Sequence, residues 1–234
     1  MSKQAKVKSA QRETPAAHQT RAALVHAALK LFGRQGFDGT STREIAAEAK
    51  ANIGSIAYHF GGKEGLRIAV ADFIVETIQG VAGQALGAIQ SAAPSTREAA
   101  RAQLFNALEQ MASFVVASPQ AGEVVQFGLR ELSQPTAALD RIYAGVFEPT
   151  HRRLCHIWEL ATGEPAESEA TRLTVFTMIG QLIYFRIGRE VVMRRMGWRE
   201  IGRDEAAKVA AVVSDNLKAM LAARKPPARK EGKS

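Results

Sequence analysis

The segment from Tyr58 to Lys63 has the chemistry to bind an anion. Tyr58 offers a hydroxyl, His59 a ring nitrogen and Lys63 a point charge. A helix starting after Gly61 and Gly62 would add free amide groups, because the first N–H groups of a helix have no partner within it. This set indicates contact with phosphate groups, with a helix-capping or core histidine as the other interpretation of His59.

No arrangement of residues indicates catalysis. His151 and Cys155 lie one helical turn apart and could contact one metal ion, yet two ligands do not make a closed zinc site and His156 falls on another helical face. No Ser or Cys nucleophile has an evident base. We therefore expect no enzyme, no cofactor and no metal.

Three short helices must position the anion-binding segment. The first runs from Arg21 to Gln35 and places its apolar residues on one face: Leu24, Ala27, Ala28, Leu31 and Phe32. Gly36 follows as a C-cap, and Phe37 could fold back on Phe32.

The second helix opens with a capping box from Ser41 to Glu44. Asn52 is a good N-cap for a third helix, at about residues 53–60. The expected buried residues of these two helices are Ile45, Ala46, Ala49, Ile56 and Phe60. Three short helices with a tight turn between the second and third predict a helix-turn-helix, whose third helix enters the major groove.

Several elements of this region together resemble the TetR family of bacterial repressors: Thr40–Ala46, Ala49, Gly54–Ser55, Tyr58–Phe60 and Lys63–Leu66. The match covers about residues 20–66 without a gap. Lys50 departs from the pattern because the family usually has glycine in the turn, and Ile53 stands where a polar residue is common. The resemblance implies a regulator, in most cases a repressor, that binds a palindromic operator as a homodimer.

The resemblance also implies that Tyr58, His59 and Lys63 bind phosphates, with Ser55 and Thr42 near the helix starts. Base readout is open. Ile53 and Ala57 could meet thymine methyl groups. The alternative is that Ile53 packs inside the domain and DNA shape gives the specificity. Gly54 permits close approach of the backbone, and Arg43 is the best hydrogen-bonding candidate. The expected DNA-binding residues are Thr42, Arg43, Asn52, Ile53, Gly54, Ser55, Ala57, Tyr58, His59 and Lys63.

Net charge supports this division of the chain. Of the formal net charge of +8, residues 1–67 carry eleven Lys/Arg against five Asp/Glu, whereas residues 68–220 are slightly acidic. A basic end on a neutral body suggests a nucleic-acid-binding module. We expect a disordered basic arm at 1–19, a helix-turn-helix domain at 20–66, an effector-binding and dimerisation domain at 67–222, and a disordered basic tail at 223–234.

The remainder of the chain predicts helices only, so the fold class is all-α. One continuous helix from Lys63 joins the two domains, and further helices are expected at about 95–117, 120–132, 136–160, 168–195 and 203–222.

Two of these helices are apolar on more than one side, which favours a homodimer interface at about 168–195 and 203–222. In the first, one face holds Leu173, Phe176, Gly180, Ile183 and Ile187, and another holds Val175, Ile179 and Leu182. In the last, the pattern is Ala206, Val209, Val213, Leu217 and Met220. The alternative is helices fully buried within one large domain.

Four segments of the second domain are similar to the C-terminal domain of the CecR (CerR-type) branch of TetR regulators: Arg130–Leu132, Pro149–His151, Gly180–Gln181 and Tyr184–Arg186. The similarity implies a pocket for an unidentified small-molecule effector. Polar residues inside apolar helices are the candidates: Gln126, Arg130, His151, Gln181, Tyr184 and Arg186. Arg186 could bind a ligand carboxylate, or either arginine could form an ion pair with Glu131.

Composition excludes other classes. A single cysteine rules out an intramolecular disulfide framework, and no apolar run is long enough to span a bilayer, so we expect a cytoplasmic protein. Two alternatives remain: an architectural protein that binds DNA without sequence preference, and a helical ligand-binding protein whose first domain no longer binds DNA.

Overall fold

A computed structural model describes residues 14–86 and 94–224, and over these ranges the regular structure is helical, as predicted. The chain divides into two compact units between Val70 and Ala71. The predicted basic arm lies outside the described residues up to residue 13, and the predicted basic tail does so from residue 225.

The first unit contains α1 (Pro15–Gln35), α2 (Thr42–Glu48), α3 (Gly54–Phe60) and the start of α4 (Lys63–Leu86), and α4 continues into the second unit. Helix α1 begins six residues before the expected Arg21, so residues 15–19 are helical rather than part of a disordered arm. The reason is local: the Thr14 side chain accepts a hydrogen bond from the Ala17 amide, and Pro15 occupies the first helical turn.

The core of the first unit forms where α1 meets α2 and α3. Its fully buried members include Leu24, Ala28, Phe32, Ile45, Ile56 and Leu66. Leu29, which was not among the residues of the predicted apolar face, is also fully buried. Helix α1 has neighbours on two sides, so its buried stripe is wider than one amphipathic face. Leu31, Ala49 and Phe60, which were expected in the core, are only half-buried.

The second unit contains seven further helices in the described ranges: α5 (Arg97–Ala112), α6 (Pro119–Ser133), α7 (Ala137–Ile142), α8 (Glu148–Thr162), α9 (Glu169–Ile187), α10 (Arg189–Met196) and α11 (Arg203–Ala222). Two π-helical turns, Ser113–Ala117 and Tyr143–Phe147, continue α5 and join α7 to α8. The predicted helix at 168–195 is divided at Gly188.

Helices α5, α8, α9 and α11 build the core of the second unit. The large buried side chains there include Leu104, Trp158, Val175, Leu182, Val213 and Leu217. Among the described residues, no helix is both long and apolar enough to cross a membrane.

Candidate nucleic-acid interface

A capping box closes the first turn of α2. The Ser41 side chain accepts from the Glu44 amide, and the Glu44 carboxylate accepts from the Ser41 amide at 2.7 Å. These hydrogen bonds from Ser41 lower the pKa of Glu44, and the positive charge of Lys63 contributes. The lysine of α4 therefore lies within electrostatic range of the first turn of α2.

The turn between α2 and α3 has an unusual backbone. Lys50 has a φ of +53°, in the left-handed region that a side chain rarely adopts, and its side chain is exposed. The Asn52 side chain then accepts a hydrogen bond from the Gly54 amide at 2.8 Å. The helix begins at Gly54 with Ile53 as its N-cap residue, so Asn52 lies one residue before the cap position and holds the Gly54 amide from there.

Helix α3 buries one side and exposes the other. Ile56 is 2% exposed and faces the core, whereas Ile53 is 46% and Tyr58 78% exposed. Gly54 and Ala57 are exposed as well. The alternative in which Ile53 packs inside the domain is therefore wrong. The outer face of α3 carries a large aromatic ring, a branched apolar side chain and two small residues, a surface that can approach a DNA groove closely.

Four other predicted contact residues lie on α2 and α3. His59 is half-buried, and its ring meets that of Tyr58 edge-on, with centroids 4.9 Å apart. Arg43 is exposed, while Thr42 and Ser55 are half-buried in the first turns of α2 and α3.

Three glycines form the corner between α3 and α4. Gly61 and Gly62 have φ values of +72° and +133°, and a Cβ added at either would meet no atom within 4 Å. Gly65 is the opposite case, because a Cβ there would lie 1.8 Å from the Phe60 carbonyl oxygen. The direction in which α4 leaves α3 therefore depends on a close backbone contact that only glycine permits.

Sequence reasoning did not include Phe37 and Arg67 among the site residues, although both lie next to this corner. The Phe37 ring lies 4.2 Å from Lys63 Nζ and 4.3 Å from Arg67 Cζ, measured to the ring centroid. Lys63 and Arg67 are four residues apart and share one face of α4. That spacing was visible in the sequence, but the position of Phe37 depends on how the loop after α1 folds.

In the second unit, the Arg186 side chain donates hydrogen bonds to backbone carbonyl groups. Its Nε donates to the Val115 carbonyl at 2.7 Å, and a second nitrogen donates to the Ser118 carbonyl. These acceptors lie in and just after the first π-helical turn, where carbonyl groups lack helical partners. Burial lowers the pKa of Arg186 and the nearby positive charge of Arg189 adds to this. Of the two ion pairs considered for Glu131, the one with Arg186 is not formed, and Glu131 accepts a hydrogen bond from Thr136 at 2.5 Å.

The other effector candidates lie at separate places on α6, α8 and α9. His151 stacks on Phe176 with centroids 4.0 Å apart, and its Nε2 lies 3.1 Å from the Arg172 carbonyl. Gln181 accepts a hydrogen bond from Asn216 of α11 at 2.7 Å.

Tyr184 is exposed, as are Gln126 and Arg130 on α6. A Cβ at Gly122 would lie 3.3 Å from Arg186. Gly122, Gln126 and Arg130 share one face of α6, and of these three positions Gly122 lies next to Arg186.

Cys155 has the properties of a core residue. It is 1% exposed, and burial raises the pKa of its thiol to about 11, so it remains protonated at neutral pH. Its sulfur lies 3.7 Å from His151 Nδ1. Over residues 14–86 and 94–224 there is no group of three or more His, Cys, Asp or Glu side chains that could hold a metal ion.

Helix α9 exposes one apolar face and buries the other. Leu173, Phe176 and Ile187 are each more than half exposed, whereas Val175 and Leu182 belong to the core. On α11 the expected interface residues Ala206, Val209, Val213 and Leu217 are buried in the protomer, and Val212 is the large apolar residue on the outer side. The pattern read on α11 is therefore a core pattern, because this helix packs on α5.

A helix-turn-helix with an exposed outer face on its third helix, followed by a larger helical unit, defines a DNA-binding transcriptional regulator. Two family models match this chain. The model for bacterial regulatory proteins of the TetR family matches residues 24–70, and that for the C-terminal domain of the HTH-type transcriptional dual regulator CecR matches residues 100–224.

The HTH-type transcriptional dual regulator CecR of Shigella flexneri is 31% identical over 207 residues, which cover 87% of this chain and 92% of that protein. This chain therefore belongs to the TetR family of transcriptional regulators, in the branch with a CecR-type C-terminal domain.

Solved structures share the fold. A TetR-like regulator from Rhodococcus sp. RHA1 has a TM-score of 0.63 at 19% identity, covering 92% of this chain and 100% of that one. AibR, solved in complex with isovaleryl coenzyme A and operator DNA, has a TM-score of 0.60 at 18% identity, covering 89% of this chain and 99% of that one.

Proposed function

We propose that this regulator binds a palindromic operator as a homodimer, represses transcription there, and is controlled by a small molecule bound in its second unit. The observation that carries the proposal is the outer face of α3. Ile53 and Tyr58 are held out of the core while Ile56 anchors the helix from behind. Their exposed apolar and aromatic surface is therefore available to contact DNA.

In this proposal the contacts divide into two groups. Tyr58, His59 and Lys63 bind phosphates and set the position of the domain on the duplex, assisted by the hydroxyl groups of Thr42 and Ser55. Base readout comes from α3 and α2, where Ile53, Ala57 and Arg43 meet base edges while Gly54 permits close approach. Asn52 contributes by holding the Gly54 amide and presenting its amide nitrogen at the helix start.

Dimerisation follows from the exposed face of α9. Leu173, Phe176, Gly180 and Ile187 recur at three, four and seven residues along one side of the helix, and all four are exposed. A contiguous apolar stripe of this kind marks an interaction site. A second copy is the occupant we propose, because a helix-turn-helix that reads a palindrome must be present twice.

For the effector we propose the face of α6 that holds Gly122, Gln126 and Arg130, together with Arg186. A ligand there would compete for the guanidinium that now holds the carbonyls of Val115 and Ser118. AibR supports ligand control on the same fold, since its structure contains isovaleryl coenzyme A as well as operator DNA.

The direct test is selection of DNA by the purified full-length protein from a library of random duplexes. The expected result is an inverted repeat whose half-sites lie about 10 base pairs apart, or a multiple of that, as two recognition helices of a dimer require. A footprint on that repeat should persist in excess competitor DNA. Recovery of no common sequence would favour the architectural DNA-binding alternative.

The Shigella relative is named a dual regulator, so activation at some promoters is the second candidate. Transcription in vitro from a promoter that overlaps the selected repeat, with and without the protein, distinguishes the two. Repression predicts loss of transcript, whereas activation predicts a gain.

A further inference from the structure

The turn between α2 and α3 places a lysine where the backbone favours glycine. Two hydrogen bonds close the end of α2, from the Lys50 amide to the Ala47 carbonyl at 3.1 Å and from the Ala51 amide to the Ala46 carbonyl at 2.9 Å. This is the Schellman pattern, whose left-handed residue is usually glycine. Lys50 occupies that position with a φ of +53°, so its Cβ destabilises the turn.

The packing of the protomer does not account for this lysine, because its side chain is exposed. Residues other than glycine that are held in the left-handed region cluster at functional sites, where the side chain has a role that outweighs the strain. The role of the Lys50 side chain therefore lies in a contact outside the protomer.

The charge of Lys50 is available for such a contact. The two carboxylates of α2 are engaged elsewhere, since Glu44 accepts a hydrogen bond from the Ser41 amide and Glu48 forms an ion pair with Lys30 of α1. The hydrogen bond and the positive charge of Lys30 lower the pKa of Glu48. Within the part of the chain that the structure describes, the Lys50 ammonium group forms no ion pair.

Lys50 leads directly into the outer face of α3. Asn52, Ile53 and Gly54, which follow it in the chain, are exposed as well. In a helix-turn-helix, the helix before the turn crosses the phosphate backbone and the helix after it enters the major groove. The turn that joins them therefore passes the edge of the groove, where the phosphate groups lie. The flexible four-carbon stem of a lysine can carry its charge from the turn to that edge.

We propose that Lys50 is a further phosphate-binding residue of the DNA interface, and that this contact is the reason for a lysine at the strained position. The proposal rests on the proposed function, because it assigns the anion to a DNA phosphate. Lysine suits the role, since its ammonium group binds phosphate as a point charge. Lys50 precedes α3 and Lys63 follows it, so the two lysines would hold phosphates at opposite ends of this helix.

The test is the salt dependence of binding of the full-length protein to a mixed-sequence duplex of about 30 base pairs, long enough for two half-sites. Each phosphate contact contributes about 0.9 to the slope of log affinity against log salt concentration. Lys50→Ala should therefore reduce the slope by about one per half-site and weaken binding to all sequences alike. Lys50→Arg keeps the charge and should keep the slope.

Lys50→Gly separates the DNA contact from folding. Glycine adopts the left-handed conformation without strain, so this variant should melt at a higher temperature than wild type and still lose as much slope as Lys50→Ala. Damage to the fold cannot produce that combination. The control is Lys218→Ala, which removes the same charge from an exposed ion pair with Asp215 in the second unit and should leave the slope unchanged.

An unchanged slope for either Lys50→Ala or Lys50→Gly overturns the proposal, as does a loss of slope in Lys50→Arg as large as that in Lys50→Ala. If Lys63→Ala reduces the slope while the Lys50 variants do not, the proposed DNA binding stands and only the role of Lys50 is wrong. If wild-type protein shows no salt-dependent binding, both proposals fail.

Discussion

At the scale of single residues, Lys50 and Ile53 both depart from the family pattern, but they affect different properties of the protein. Lys50 has a strained, left-handed backbone conformation in the turn of the helix-turn-helix, with a φ of +53°. Ile53 places an apolar side chain on the outer face of α3. The first affects stability and the second affects DNA readout, so each has its own prediction.

Lys50→Gly should stabilise the protein by about 1 kcal/mol, because a left-handed residue with a Cβ costs about 1–2 kcal/mol and glycine does not pay it. Part of the gain is lost to the greater freedom of glycine in the unfolded chain. Urea unfolding measures the difference. Lys50→Ala, which removes the charge but keeps the Cβ, should give no such gain. Equal stabilisation by both variants would mean that charge, not strain, is responsible.

Ile53→Ala should cost little on random DNA and relax preference at one position of each half-site, if Ile53 contacts a thymine methyl group. Replacing that thymine by uracil should reproduce the effect with the wild-type protein. The variant should bind the thymine and uracil duplexes with the same affinity. Competition titrations on the selected repeat measure this. Wild-type binding that is indifferent to the methyl group would favour readout of DNA shape.

At the scale of helices, α4 is set in direction by its first turn. Gly65→Ala should destabilise the first unit by about 1–3 kcal/mol, the usual cost of overpacking, since its Cβ would meet the Phe60 carbonyl oxygen. Gly80→Ala on the same helix meets no atom within 4 Å and should stabilise it by up to about 1 kcal/mol. Thermal unfolding compares the two. Similar behaviour of both variants would contradict the role of the corner.

The apolar face of α9 gives a prediction about assembly. Leu173→Glu should shift the protein toward monomer, because it places a charge in the proposed apolar interface. Leu132→Glu is a matched control on α6, since the two leucines are 56% and 59% exposed. Sedimentation across a range of concentrations reads out the mass. A wild-type monomer, or a dimer that tolerates Leu173→Glu, would place the interface elsewhere.

At the scale of the whole molecule, effector and operator must change each other's binding affinity by the same factor. A coupling of about 1–3 kcal/mol corresponds to a 5–150-fold loss of operator affinity, and operator DNA should weaken effector binding by the same factor. Candidate effectors can be found by thermal shift, since a ligand of the folded protein raises its melting temperature. Titration of each ligand in the presence of the other measures both factors. Unequal factors would show that the compound acts at another step.

The sequence by itself determined that the chain is helical and roughly where most helices lie, but it did not predict the early start of α1 at Pro15 or the break at Gly188. The hydrogen bonds of the Ser41 and Asn52 side chains to nearby backbone amides could be predicted from the sequence, because these contacts span two or three residues. The family of the first domain could be recognised from the sequence for a similar reason, because its motif is short, continuous and free of gaps. In α9, periodicity gave two apolar faces correctly, but not which one faces outward.

Only the tertiary structure decided how those helices use their faces. It placed the apolar pattern of α11 in the core and left Ile53 outside. It also brought Phe37 to Lys63 and Arg67, and Arg186 to the carbonyls of Val115 and Ser118. The partners in these contacts are separated by 26 residues or more along the chain. Periodicity shows that a face is apolar but cannot identify the neighbour that covers it, because that neighbour is chosen by packing of the whole unit.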